Sequence, residues 1–236
     1  QDEPGLSSVH TGWASFPLMV SSALSRMLIF DNFVDGEHWQ VRTKAGRAEL
    51  PMTYLGSTEQ HGTRLTFLPD PEIFENPEVS YNWLQDRLFD VSHLCPGLRI
   101  ELRDLRQRSR RFLSEVGPLA LFEKMNGERT LLHPNPITFS GEVNGLRFSG
   151  SFGWSDRGWS QIRCFANLRE TTGGGSHQRA LMKGLTSRIR SWCRKEQAMS
   201  STAGLSDTVY RGLVAVIHVV LPDPNFKGAC LERLDN

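Results

Sequence analysis

The sequence predicts a mixed α/β (α+β) protein, and three observations carry that assignment. Short stretches alternating apolar and polar residues recur between turn dipeptides such as Asp35-Gly36, Ala45-Gly46 and Asn144-Gly145, the pattern of antiparallel strands and hairpins. Among them lie segments with apolar residues at helical spacing, Val79–His93 and the longer Gln178–Arg194. The third observation is Leu213–Leu221, an almost continuous apolar run rich in β-branched residues, which fits a strand buried on both faces.

Taken in order, residues 1–14 are polar with little periodicity and predict an extended lead-in, and Phe16–Met27 predicts a short apolar helix. Leu28–Phe33, His38–Thr43 and Glu49–Tyr54 read as a meander. Gly62–Leu68 is a further strand that stops at Pro69-Asp70-Pro71, because proline has no N–H for a ladder. Val79–His93 sets Leu84, Leu88 and Val91 on one helical face and ends at Pro96-Gly97, and Leu98–Leu102 is strand-like. Leu119–Met125 predicts a short helix with Pro118 at its first position, where no intrahelical N–H is needed. Ile137–Val143, Leu146–Trp154 and Gln161–Asn167 predict strands, with Trp154, Trp159 and Phe165 packed in the sheet.

A glycine-rich corner, Gly173-Gly174-Gly175-Ser176-His177, joins the last of these strands to the long helix. Two readings stand: a tight strand-to-helix corner that needs positive φ, and a phosphate cradle at a helix N-terminus. The corner matches neither G-x-x-x-x-G-K-[ST] nor G-x-G-x-x-G. Ser176 is the expected N-cap, and His177 the expected hydrogen-bonded structural histidine. Beyond it Leu181, Leu185, Ile189 and Trp192 form a core face, while Arg179, Lys183, Arg188 and Arg194 form a basic one.

Composition bounds what the chain can do. A net charge of +1 excludes a uniformly basic protein, so any nucleic-acid site is a local patch. Six arginines (Arg99, Arg103, Arg106, Arg108, Arg110, Arg111) against Glu101 and Asp104 make one such patch, read either as a solvated face or as a phosphate-contacting one. Cys95, Cys164, Cys193 and Cys230 make no C-x-x-C pair, and His61, His93 and Cys95 fit no standard metal spacing. A reducing, cytoplasmic setting suits these cysteines. No apolar run reaches the ~18 residues of a membrane span. The opening Gln1 in place of Met reads as a processed product or an excised fragment.

Four blocks then add up. They are Gly62-Thr63 with Phe67-Leu68-Pro69-Asp70-Pro71-Glu72-Ile73-Phe74; Arg99-Ile100-Glu101-Leu102-Arg103-Asp104; Gly174-Gly175-Ser176-His177; and Gly212-Leu213-Val214-Ala215-Val216 leading to Pro222-Asp223-Pro224-Asn225-Phe226. In order and spacing, over nearly the whole chain, they resemble the B subunit of DNA gyrase and its topoisomerase IV counterpart. The resemblance implies residues 1–70 as a remnant of a GHKL-type ATPase sheet with a divergent ATP lid. It implies residues 71–236 as a ribosomal-protein-like transducer domain with a left-handed βαβ crossover. ATP and Mg²⁺ are the family's cofactors.

At two places the sequence departs from the family. The family's G-L-H-G-V-G lid corresponds to Gly12 through Pro17, where Ser15 and Pro17 replace the later glycines. The family's Gln-Thr-Lys, whose lysine reaches the γ-phosphate, corresponds to Ala229, Cys230 and Leu231, and leucine offers phosphate no cation. The expectation is therefore a transducer module that binds duplex DNA and relays conformational state, with no cofactor, ATP hydrolysis or strand cleavage of its own. Arg99, Arg103, Arg106, Arg108, Arg110, Arg111, Arg179 and Lys183 would be its DNA contacts. Alternatives are a repurposed paralogue acting by protein–protein contact, and a nucleotide-dependent enzyme using the glycine corner. Partners implied are duplex DNA, a topoisomerase subunit and a second copy in a homodimer.

Overall fold

The computed structural model describes residues 15–49, 51–106, 108–198, 203–228 and 230–236, and the chain forms two compact units that divide between Ser80 and Tyr81. In the first, α1 (Ser15–Ala23) precedes five strands: β1 (Ser25–Val34), β2 (Glu37–Lys44), β3 (Arg47–Ala48), β4 (Thr53–Ser57) and β5 (Gly62–Pro69). The sheet order is β3-β2-β1-β5, with β4 also on β2, and every pair is antiparallel. Asp35 and Gly36 (φ 52° and 79°) and Ala45 and Gly46 (φ 45° and 76°) form the two tight turns, whose left-handed pairs match the twist of the strands.

Two boundaries differ from expectation. The first helix stops at Ala23 rather than Met27, because Ser25 and Met27 pair with Pro69 and Leu68 across a bulge. The third meander strand runs over Thr53–Ser57 rather than Glu49–Tyr54, since Pro51 lacks the N–H that would continue a ladder. Within the sheet, buried Asp31 accepts hydrogen bonds from His38 Nε2 and Gln40 Nε2, both at 2.8 Å. Burial works against its charge, but the bonds from Gln40 and His38 hold the carboxyl below its usual range.

The second unit contains α2 (Tyr81–Leu94), β6 (Ile100–Arg103), β7 (Ser109–Phe112), α3 (Pro118–Asn126), β8 (Ile137–Val143), β9 (Leu146–Trp154), β10 (Gln161–Ala166), β11 (Arg169–Glu170), α4 (Ser176–Lys195), α5 (Leu205–Tyr210), β12 (Leu213–Val220), β13 (Phe226–Lys227) and β14 (Arg233–Leu234). Its main sheet runs β11-β10-β12-β9-β8. Only β10 and β12 are parallel, and α4 and α5 lie between them in the chain. On one face Leu94, Leu121 and Phe122 of α2 and α3 pack on Phe165, Val214 and Val216. On the other, Leu181, Met182 and Leu185 of α4 pack on Phe152, Leu213 and Ala215. Leu213 through Ala215 are wholly inaccessible, as the unbroken apolar run requires.

The β8–β9 register is fixed by two phenylalanine–glycine pairs. A Cβ on Gly141 would meet the Phe148 ring, and one on Gly150 would meet the Phe139 ring. Slipping the strands would drive side chains into both rings. Arg163 ties α2 to the far edge of the sheet. It is bidentate to buried Asp90 (3.1 and 2.6 Å) and to Glu170 (2.7 and 2.7 Å), and these bonds, Glu170 first, raise its pKa further. Deleting Asp90 removes two of the four bonds that hold Arg163 and leaves Nη1 without its carboxylate acceptor, with Glu170 the remaining partner. Asp90→Ala is expected to cost about 3 kcal/mol or more of unfolding free energy, measured by urea denaturation.

Candidate nucleic-acid interface

The glycine corner is built against the C-terminal tail. Gly173 N–H donates to Glu232 O (2.9 Å), Gly174 N–H to Thr171 O (2.8 Å), and Leu234 N–H to Gly174 O (3.1 Å). Gly175 (φ 145°) bridges Leu234 in parallel, and a Cβ there would overlap the Leu234 backbone. The first two amides are therefore spent on carbonyls rather than aimed at an anion, which overturns the phosphate-cradle reading. Gly175, not Ser176, occupies the N-cap, with no side-chain capping bond, because only glycine tolerates that φ beside the tail.

His177 follows the corner, 5% exposed, with Nε2 3.2 Å from Thr171 Oγ1 and Nδ1 buried without a partner among the described residues. Burial, with nearby Arg179, pulls its pKa down to about 4. His218 on β12 is also buried, with Nε2 unpartnered among the described residues. Burial first, then Arg147 and His177, lowers it to about 4.

Arg188, expected on the basic face, lies half a turn round the long helix from Arg179, and the helix packs an apolar stripe on the sheet with one change from expectation. Its core face runs through Leu181, Met182, Leu185, Thr186, Ile189 and Cys193, and Trp192 is 57% exposed instead. Over three turns the 3.6-residue period carries position 192 off the buried stripe and brings position 193 onto it. Trp159, expected in the sheet, is likewise outside, with Arg129 stacked 3.7 Å from its ring.

α4 carries Arg179, Lys183, Arg188, Arg190, Arg194 and Lys195 and no acidic residue. Among the described residues only Lys195 of these has an ion pair, to the next residue, Glu196 (4.0 Å). Arg179, Lys183, Arg190 and Arg194 fall on one line along the helix. The arginine-rich stretch 99–111 behaves differently, because it folds into the β6–β7 hairpin. There Glu101 engages Arg103 (2.8 Å) and Arg111 (3.6 Å), and Asp104 engages Arg108 (2.6 Å). Arg108 also lies over Tyr81 and Arg110 over Phe112. Arg99 and Arg106 have no ion pair among the described residues. Strand pairing, invisible in a charge count, thus sets Glu101 across from Arg111 and beside Arg103 two residues on, and the turn between the strands brings Arg108 to Asp104.

Of the positions that depart from the gyrase pattern, Gly12 and Ala229 lie outside the described residues, and Ser15 and Pro17 fall in α1 with side chains outside them. Cys230 is exposed, its carbonyl accepting from Arg169 Nη1 (3.5 Å). Leu231 is half-buried with φ 57°. Among the described residues there is no cluster of three or more His, Cys, Asp or Glu able to hold a metal ion, and no helix long and apolar enough to cross a membrane.

A sheet with helices on both faces, crossed over from β10 to β12 behind a glycine corner, is a fold that this chain shares with solved gyrase B subunits and their ATPase domains. Residues 119–236 match the family model for DNA gyrase B, and the chain belongs to that family. It is 33% identical over 222 residues to the DNA gyrase B protein of Halalkalibacterium halodurans, covering 92% of this chain and 35% of the relative. The gyrase B protein of Myxococcus xanthus superposes with a TM-score of 0.76 at 27% identity, over 92% of this chain and 64% of that one. The 43K ATPase domain of Thermus thermophilus gyrase B gives 0.72 at 26%, over 97% and 63%. The chain spans about a third of the length of the curated relatives it matches.

The two buried histidines set an acid limit on the fold. Both stay neutral when folded and take up protons near 6.5 when unfolded, so their stabilisation is complete above pH 6.5 and is lost as pH falls from 6.5 toward 4. The loss reaches on the order of 3 kcal/mol for each histidine by pH 4. Denaturation midpoints are expected to drop steadily between pH 7 and pH 4.5, and His218→Phe to flatten that slope.

Proposed function

We propose that the chain is a gyrase-B-type transducer module that contacts duplex DNA and relays the conformational state of a topoisomerase, without ATP hydrolysis or strand cleavage of its own. One observation carries the DNA reading: a twenty-residue helix with six cations, no acid, and a line of four side chains free of ion pairs among the described residues. Arg179, Lys183, Arg190 and Arg194 are the principal phosphate contacts, each releasing a counterion on binding. Arg99 and Arg106 add to them, whereas Arg103, Arg108, Arg110 and Arg111 contribute less because they already have partners. The absence of ATP turnover is supported by Leu231, an apolar side chain where the resemblance expects a γ-phosphate-contacting lysine.

A second reading rests on a separate observation. Tyr54, Leu55, Leu65 and Phe67 of β4 and β5 are each between 45% and 51% exposed, a set of apolar side chains that suits a protein partner. Titrating binding to a random-sequence duplex across salt separates the two. The DNA reading expects affinity to fall steeply with salt, and replacing all four α4 residues with alanine to lower the slope of log K against log salt by about 3 to 4. Arg103→Ala with Arg111→Ala is expected to change it less. No binding even at low salt discards the DNA reading and leaves the protein-partner one.

A further inference from the structure

We infer that the β6–β7 hairpin carries a wedge, Leu105, which enters a base step of duplex DNA from the minor groove and kinks it; this rests on the DNA-contacting reading above. Leu105 sits at the hairpin tip and is wholly exposed, at 104%, the most exposed large apolar side chain among the described residues. A single exposed leucine is ordinary on a surface, and a mobile loop lets it fold back on apolar neighbours. This tip is fixed instead. Asp104 N–H donates to Arg108 O (3.0 Å), and the Asp104 carboxylate accepts from the N–H of Arg106 (3.0 Å), the N–H of Arg108 (2.9 Å) and Arg108 Nε (2.6 Å). The Arg108 guanidinium also lies 4.1 Å from the centre of the Tyr81 ring, which moors the turn to the start of α2. Leu105 is therefore held out in water on a preorganised turn, so little ordering remains for a partner to impose.

The chemistry around the tip selects the occupant. Six arginines against two carboxylates between Arg99 and Arg111 leave an excess of four positive charges, which suits a polyanion. Strand alternation sets Glu101, Arg103, Ser109 and Arg111 on one face of the hairpin, and all four are exposed. Phe112, on the other face, is buried, and both strands pack against α2. Leu105 thus has no apolar companion on the open face, whereas a membrane or an apolar protein groove takes a broad apolar surface. One apolar group flanked by arginines fits a duplex, where the wedge slips between two base pairs and the cations follow the narrow groove and its phosphates. Arg106, next in the chain and without an ion pair among the described residues, is the groove contact. Because α2 and α3 cover the face of the main sheet opposite α4, this contact is separate from the line of cations on α4.

The test compares the affinity of the whole chain for a fluorescent random-sequence duplex and for the same duplex with one central mismatch, where unstacking is easier. The mismatched duplex is expected to bind roughly fivefold tighter or more, and an aminopurine base beside the mismatch to brighten as it unstacks. Leu105→Ala is expected to bring the two affinities together while leaving the salt dependence on the intact duplex unchanged, and Leu105→Met to keep the preference. Since the side chain is wholly exposed, the far-UV circular dichroism of both variants should match the parent. Alanine at the line of four cations on α4 is expected to weaken both duplexes alike and leave their ratio alone. Equal binding to the two duplexes, or a preference that survives Leu105→Ala, overturns the wedge and leaves the DNA reading standing. Leu105-dependent binding to anionic phospholipid vesicles in place of that preference assigns the tip to a membrane and overturns it as well. No binding to either duplex at low salt discards the DNA reading and the wedge with it.

Discussion

A parallel strand pair cannot be closed by a tight turn, and that constraint arranges the second unit. Because β10 and β12 run in the same direction, the chain must leave the end of one, cross a face of the sheet and return to the start of the other. α4 makes the crossing, and its apolar stripe covers one face of β12 while α2 and α3 cover the other. The strand between them is accordingly the most buried element among the described residues. The corner that launches α4 is tight enough to exclude any Cβ at Gly175, since the C-terminal tail returns to pair with it. Helix, corner and tail are thus consequences of one strand direction.

Polar groups inside this unit are placed where they hold ends together. Asn167 brackets Leu221 with both atoms of its amide, accepting from its N–H at 2.9 Å and donating to its carbonyl at 2.7 Å. That pair closes the β10–β12 ladder at the point where the backbone bonds run out. Arg163, on β10 itself, joins α2 to the β10–β11 hairpin through two carboxylates. Such bonds add little net stability, but leaving any one unmade is costly, so they select a single arrangement. Burial beside Glu170 also pushes the Cys164 thiol up to about 12, which leaves it protonated and inert at neutral pH.

Membership of the gyrase B family and the electrostatics of α4 act on different levels. The family likeness accounts for the fold across nearly the whole chain. The surface charge does not follow from the fold, because helices on the same scaffold carry any polar face that solvent accepts. What makes α4 distinctive here is the absence of any carboxylate along twenty residues, in a chain whose acids and bases nearly balance overall. The cations are concentrated rather than abundant, and concentration is what a polyanion responds to.

The amino-acid sequence determined, by itself, the mixed class, the strands on either side of Asp35-Gly36 and Asn144-Gly145, the buried β12 and the amphipathic α4, because each rests on local periodicity or on turn residues with one favoured backbone. It also determined the family, through blocks spread along the chain. The tertiary structure alone decided the rest. Whether the three glycines cradle an anion or receive the tail depended on where residues 232–234 return. Whether the arginines of 99–111 are free depended on which residues the β6–β7 pairing sets opposite Glu101, and on the turn that brings Arg108 to Asp104. Trp192 left the core and Cys193 entered it because a helix turns by 100° per residue, so a one-residue difference selects a different neighbour. Local pattern specifies what is near along the chain, and only the folded backbone brings together residues that are far apart in it.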